Sequence, residues 1–316
     1  MPILLKKKSS LFIVTINGQD DMKLIEKVFS YYKKIRQRKS SKQQLFLLFQ
    51  KILKRNEYNI CYNRSIRKSY NPKKKNILIA IESPEVIRYN GWLDKDMSFV
   101  AEISFANFYN LKNFYCCRTL YSTNDNFVDF DLKNEYIQKD RNISFIYSDK
   151  THLPGHQFRH TIAERYGKKI DAFGSGTGIF LKRKIESLER YRYQIVVENG
   201  KYPDYVSEKF FDCIKTKTVP IYYGGDQGLE TMGFDNRGWI SFNTIDELEQ
   251  IIDTKANEVY YADCLPYMTK NRELLLEIRT NHYLNLALNL VMITGYMHTE
   301  DSYHKGKYNE LSFLLE

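Results

Sequence analysis

The stretch Tyr193–Gly224, YQIVVENGKYPDYVSEKFFDCIKTKTVPIYYG, decides how this chain folds. Gln194–Val197 is a short run rich in β-branched residues and reads as a buried strand. Glu198, Asn199 and Gly200 break it with turn chemistry, and Pro203 and Asp204 prolong the loop. From Val206 onward the apolar residues Val206, Phe210, Phe211 and Ile214 recur at helical spacing, which places Ser207, Glu208 and Lys209 in a first helical turn. Val219–Tyr223 then reads as a second strand. A strand, a helix and a strand in succession make a parallel crossover.

Working outward, the same alternation continues in both directions. Strands are predicted at Leu11–Ile16, Ile77–Ile81, Ser98–Ser104 and Ile143–Tyr147, and helices at Met22–Ile35, Gln43–Leu53 and Gln157–Tyr166. Between Ser122 and Arg141 a polar stretch containing Asp125, Asp129 and Asp131 reads as a linker. Downstream, Ile240–Phe242 reads as a strand, Thr244 and Glu247 as the capping box of the next helix, and the chain beyond Asn257 as mostly helical. At 316 residues the chain is long for one core and suits two domains, placed at 1–135 and 136–316. The fold class is α/β with parallel sheets, whose ligands collect at the carboxyl ends of the strands.

The formal net charge is +10, and the excess gathers at Lys6–Lys8, Lys33–Lys42 and Lys73–Lys75. Such runs suit solvated helix faces or peripheral contact with an anionic membrane. No nucleic-acid-binding motif accompanies them, so nucleic acid is not an expected partner. The 25 Tyr and 19 Phe are read as core. Cys61, Cys116, Cys117, Cys213 and Cys264 have neither the count nor the spacing of a disulfide framework, which fits a reducing compartment. The N-terminus lacks the apolar segment of a signal peptide, and no apolar run approaches the roughly 20 residues that cross a bilayer. A cytoplasmic location is therefore expected.

A helix N-terminus offers unpaired N–H groups and the positive end of a dipole, so Lys209 there can meet a diphosphate while Glu208 accepts from ribose hydroxyls. A favourable first-turn Glu beside a solvated Lys explains the same two residues without a ligand. Two metal patterns are set aside. Asp129-Phe130-Asp131 is a DxD triplet suited to Mn or Mg, but a chain this rich in Asp contains one by chance. His152, His156 and His160 recur at the spacing of zinc ligands on a helix, but Pro154 and Gly155 are expected to interrupt any helix there. His160, beside Arg159, is a second candidate for phosphate contact.

The elements EN, DYVSEKFFD and TVPIYYG resemble the signature of the α-1,3-fucosyltransferase family, glycosyltransferase family 10: EN, YVTEK, then VPI or VPV and a Gly. Three weaker resemblances precede it in order. Ile79–Pro84, IAIESP, resembles the family's ESP element; Phe105–Tyr121, with Arg118 after two cysteines, is similar to its aromatic stretch ending in R-x-x-L-Y; Ser148–Arg159 resembles its loop ending in a phosphate-binding Arg.

The resemblance implies a GT-B fold, two Rossmann-like domains with the acceptor side N-terminal, the nucleotide-sugar side C-terminal and a cleft between them. It implies inverting transfer of fucose from GDP-fucose to a hydroxyl of a glycan acceptor. On this reading Arg159 and Lys209 stabilise the departing diphosphate, Arg159 through two phosphate oxygens at once. Glu208 holds the ribose, and Asn199 and Tyr205 line the donor pocket. Glu82, which follows an apolar strand and precedes Pro84, is the catalytic base, with Glu85 the second candidate. Some bacterial members carry another Glu two residues earlier, where this chain has Ala80. No cofactor is required, a divalent cation being at most stimulatory. Two other readings are kept: a GT-B transferase using another nucleotide sugar, and a basic nucleic-acid or membrane-surface protein built on Lys33–Lys42.

Overall fold

The computed structural model describes residues 2–7, 10–15, 58–104, 108, 114–116 and 138–275. The chain divides into two compact units, residues 1–120 with 277–316, and residues 121–276. The division expected between residues 135 and 136 lies outside the described residues, as do the helices expected at Met22–Ile35 and Gln43–Leu53, the Lys33–Lys42 run, Arg118 and the Asp129/Asp131 pair.

In the first unit, β1 (Pro2–Lys7) and β2 (Ser10–Thr15) pair antiparallel with Lys7 opposite Ser10. The strand expected at Leu11–Ile16 is thus one arm of a hairpin rather than the start of a parallel sheet, since a two-residue connection can only reverse the chain. A wholly parallel sheet follows in the order β3 (Tyr58–Tyr62), β4 (Lys75–Ile79), β5 (Ala101–Ser104) and β6 (Phe114–Cys116). Between β3 and β4 lies the single turn α1 (Ile66–Ser69). Around it Arg64, Arg67, Lys68, Lys73, Lys74 and Lys75 are all exposed, and Arg67 is paired with Asp94 at 3.2 Å. Ile77, Leu78 and Ile79 are buried, as a strand covered on both faces requires. β4 stops two residues short of Ile81, although the Ala80 N–H still donates to the Ile103 carbonyl at 3.0 Å. The chain bends at Glu82, and Ser83 caps α2 (Pro84–Tyr89), whose first position is Pro84.

The second unit contains β7 (Arg141–Ile146), α3 (Pro154–Tyr166), β8 (Asp171–Phe173), β9 (Tyr191–Val197), α4 (Glu208–Thr216), β10 (Val219–Tyr223), α5 (Asp226–Thr231), β11 (Ile240–Ser241), α6 (Ile245–Thr254) and α7 over 258–275. All five strands are parallel, in the order β11-β10-β9-β7-β8. β8 follows β7 on one side and β9 returns to the other, so the direction of winding reverses between β7 and β9. That reversal is a topological switch point, where open α/β sheets leave a crevice at the strands' carboxyl ends. Ile195, Val196 and Val197 of β9, Val219, Ile221 and Tyr222 of β10, and Phe210, Phe211 and Ile214 of α4 are all buried. Each such apolar side chain contributes about 1.5–3 kcal/mol by leaving water.

Two local expectations are corrected. α3 starts at Pro154, three residues before the expected Gln157, because Pro needs no N–H partner at the first helical position. Pro154 and Gly155 therefore open the helix instead of interrupting it, and His156 and His160 share it. At α6, Thr244 caps as expected, its Oγ1 accepting from the Glu247 N–H at 3.2 Å. The return bond from Glu247 Oε2 goes to the N–H of Asn243 at 2.7 Å, one residue outside the box. Among the described residues no helix is long and apolar enough to cross a membrane.

Candidate functional site

The switch point is built on the end of β9. The Glu198 N–H extends the pairing one residue by donating to the Tyr223 carbonyl at 3.0 Å. Gly155, in the first turn of α3, donates its N–H to the Asn199 carbonyl at 3.2 Å, and a Cβ at Gly155 would lie 1.9 Å from the Glu198 carbonyl oxygen. Only glycine lets the helix close on the strand this tightly.

One turn along, this approach brings Arg159 over the strand's last carbonyl. Nε donates to the Val197 carbonyl at 3.1 Å, and Nη2 donates to the same carbonyl and to Asn199 Oδ1 at 3.1 Å. Arg159 is 6% exposed. Burial lowers its pKa, opposed by Glu198, Tyr205 and Glu208, and a guanidinium in that range stays charged. Because Nε and Nη2 are committed to β9 and Asn199, Nη1 is the donor left for an anion. A grip on two phosphate oxygens through the Nε–Nη2 edge is excluded in this arrangement.

Glu198, read from the sequence as turn chemistry and as half of the EN element, organises the other half of the site. It is fully buried. Its Oε1 accepts from the Ser207 N–H at 2.8 Å and the Tyr222 hydroxyl at 3.4 Å, and its Oε2 accepts from the Ser207 hydroxyl at 2.7 Å and from Lys209 Nζ at 3.4 Å. Ser207 is the N-cap of α4, its Oγ accepting from the Lys209 N–H at 3.3 Å and from Lys209 Nζ at 3.0 Å. Glu208 opens the helix with its carboxylate 3.6 Å from Lys209 Nζ. Burial would raise the Glu208 pKa, but Lys209, Lys184 and its own backbone outweigh that and hold it below the ordinary carboxylate range. Lys184 is itself fixed by the fully buried Asp212, which also pairs with Lys215, at 2.8 and 2.9 Å. Tyr205 is buried, and its carbonyl accepts from the Tyr222 hydroxyl at 3.4 Å.

The second unit thus brings Arg159, Asn199, Tyr205, Glu208 and Lys209 to one end of the sheet. Its histidines form no metal centre. His152 and His156 meet edge to face, with ring centroids 4.7 Å apart, and His160 Nε2 pairs with the Lys150 carbonyl at 3.1 Å. Burial, with Arg159 and His152 adding to it, pushes His156 down to about 4, so its ring is neutral. Among the described residues no group of three or more His, Cys, Asp or Glu side chains is placed to hold a metal ion.

Glu82 belongs to the first unit, partly exposed at the carboxyl end of β4, and Glu85 lies in the first turn of α2. A third carboxylate there escaped the sequence reading. Glu102 is fully buried in β5, its Oε1 accepting from the Ser104 hydroxyl at 2.5 Å and the Phe108 N–H at 2.6 Å. Glu198 and Glu102 gave the same overlooked signal, an acidic residue within or just beyond a run too apolar to leave it in water.

The second unit is a doubly wound α/β domain with a charged, largely buried site at its switch point. Residues 138–265 match the family model described as Glycosyltransferase family 10 (fucosyltransferase) C-term. Over 88 residues the chain is 30% identical to a putative fucosyltransferase-like protein of Arabidopsis thaliana, a match covering 26% of this chain and 16% of that one. Over 118 residues it is 24% identical to alpha-(1,3)-fucosyltransferase B of Drosophila melanogaster, covering 33% and 27%. The chain therefore spans less than a third of the length of either relative. Among solved structures, an α1,3-fucosyltransferase with GDP-fucose aligns at a TM-score of 0.46 and 17% identity, covering 69% of this chain and 76% of that one. TarM aligns at 0.47 and 12% identity, covering 74% and 54%.

Proposed function

We propose that this protein is an inverting glycosyltransferase that moves fucose from GDP-fucose to a hydroxyl of a glycan acceptor. The observation that carries the reading is the junction of Arg159, Asn199, Ser207 and Lys209 around the end of β9, inside the stretch that matches the family 10 C-terminal domain. A departing nucleoside diphosphate develops negative charge on its terminal phosphate. Arg159 Nη1, the Lys209 ammonium and the N-terminal end of α4 supply preorganised positive charge for it. Glu208, held ionised by its lysines, accepts from the ribose hydroxyls, while Asn199 and Tyr205 border the nucleotide.

In the transfer step Glu82 takes the proton of the acceptor hydroxyl as its oxygen attacks the anomeric carbon of fucose. The bond from that carbon to the phosphate oxygen breaks, and GDP leaves with the electron pair. Direct displacement turns the β-linked donor into an α-linked product. No metal is required for these steps in this reading, a divalent cation being at most stimulatory.

A thermal-shift panel of GDP, UDP and dTDP, run beside transfer and hydrolysis assays with GDP-fucose, tests the reading. GDP is expected to give the largest shift, and GDP-fucose to be consumed when an N-acetylglucosamine or galactose acceptor is supplied. A larger response to UDP or dTDP would replace the donor with another nucleotide sugar. No response to any nucleotide, with no consumption of GDP-fucose, would sink the reading.

A further inference from the structure

Glu198 has no part in the roles assigned so far, yet its carboxylate bonds to Ser207, Lys209 and Tyr222. A carboxylate removed from water is tolerated only where its charge and lone pairs are met. Here they are met by the N-cap of α4 and by Lys209, and by the Tyr222 hydroxyl behind them. The Ser207 hydroxyl is a bridge, since it donates to Glu198 Oε2 at 2.7 Å while accepting from Lys209 Nζ at 3.0 Å. The Lys209 ammonium is thereby directed by Glu198 Oε2 and Ser207 Oγ, with Glu208 Oε1 a further neighbour at 3.6 Å. Glu198 is also a favourable charge for Arg159, which is anchored one residue before it on β9.

We infer that Glu198 is a positioning residue that orients the Lys209 ammonium and the Ser207 cap toward the diphosphate of the donor, an inference that rests on the reading of the site as one for a nucleoside diphosphate. The side chain must accept at both of its oxygens, for a stereochemical reason. The Ser207 N–H cannot turn away, so in Glu198→Gln the amide oxygen stays on that N–H and the amide NH2 faces the Ser207 hydroxyl and Lys209. Donor then meets donor, the bridge reverses, and the ammonium is driven out of register. Glutamine keeps the shape of the side chain, so the packing of β9 is preserved while the direction of these hydrogen bonds is lost.

The test compares GDP with guanosine by calorimetry on the full chain. Glu198→Gln is expected to weaken GDP about 10- to 100-fold, the range for losing a hydrogen bond to a charged group, while guanosine changes by less than about twofold. Equal weakening of both ligands would overturn the inference, because it would make Glu198 a general support of the pocket. In the Lys209→Met background, Glu198→Gln is expected to cost less than in the parent, since only the Ser207 cap is left for it to orient; fully additive losses would equally overturn the inference. Ser207→Ala, which removes the bridge and leaves the buried charge, is expected to weaken GDP in the same direction by less, so the claim does not hang on the folding of one variant. A final readout needs no nucleotide. Carbon NMR titration of the Lys209 side chain is expected to show its pKa falling in Glu198→Gln, because the carboxylate that favours the ammonium is gone. An unchanged titration refutes the positioning role, whereas a lowered one in a protein that ignores GDP leaves the coupling of Glu198 to Lys209 standing and refutes the donor reading on which the inference rests.

Discussion

At the scale of the residue, the candidate site depends on side chains whose importance comes from proximity rather than chemistry. Gly155 has no functional atom, yet its missing Cβ sets the distance between α3 and β9 and so the reach of Arg159 to the Val197 carbonyl. Gly155→Ala would press a methyl group into the Glu198 carbonyl, and a backbone oxygen cannot rotate aside as a side chain can. We expect a loss of about 1–3 kcal/mol, the usual cost of overpacking, read as a lower melting temperature. The same substitution should weaken nucleotide binding, since the helix must retreat and take Arg159 with it. A variant that melts and binds GDP as the parent does would show that α3 has slack the contacts deny. Residues carrying charge at a helix start were legible from sequence, because a first-turn Glu-Lys after a Ser is an N-terminal pattern in its own right. Glu198 was not legible, because a Glu-Asn-Gly turn looks the same whether its carboxylate faces water or the core.

At the scale of the element, strands buried on both faces were read well and helix boundaries less well. Val219–Tyr223 matches β10 end to end, its β-branched and aromatic residues outweighing Pro220, which lacks the N–H of a central strand. The start of α3 is not legible from composition, because Pro and Gly break a helix in its interior but open one at its first turn. The end of α4 carries a third lesson. Lys217 sits at φ 53° and ψ 35°, with its N–H on the Ile214 carbonyl at 3.3 Å and the Thr218 N–H on the Cys213 carbonyl at 3.0 Å. Those two bonds are a Schellman cap, whose left-handed position favours Gly over any residue with a Cβ. Lysine there costs roughly 1–2 kcal/mol in steric strain. Lys217→Gly is therefore expected to stabilise the protein by about 1 kcal/mol despite the looser unfolded chain, raising the melting temperature by a few degrees. A lower melting temperature would mean that the lysine stem contributes more than its backbone strain removes.

At the scale of the whole molecule, alternating strands and helices made two parallel sheets legible, but the order of strands was not, because periodicity says nothing about the side of β7 on which β9 returns. That choice creates the switch point and hence the site. The same sheet buries an amine whose titration should be visible in the stability of the whole protein. Lys139 lies just before β7, 9% exposed, with Nζ donating to the Leu188 carbonyl at 2.8 Å and Thr218 Oγ1 at 2.9 Å. Burial pushes its pKa from 10.5 down to about 7, with Cys213 and Glu189 opposing. Between those values the unfolded chain binds a proton that the folded chain does not, so stability rises with pH across the window. His156, lowered from 6.5 to about 4, acts in the same sense at lower pH. Above pH 9 the sign reverses. Burial raises Cys61 and Cys264 to about 11 and Cys213 further, so the unfolded chain there releases protons that the folded chain keeps. The melting temperature should therefore climb from pH 5 to about 9 and then fall, with the segment from 7 to 9 worth up to about 1.4 kcal/mol per pH unit from Lys139 alone. Lys139→Met lacks the titrating amine and should flatten that segment while leaving the decline above pH 9 in place. A rise from 7 to 9 that survives in Lys139→Met would instead belong to the relaxing repulsion of a chain with net charge +10, and would show that the buried amine is already paired well enough to keep its proton.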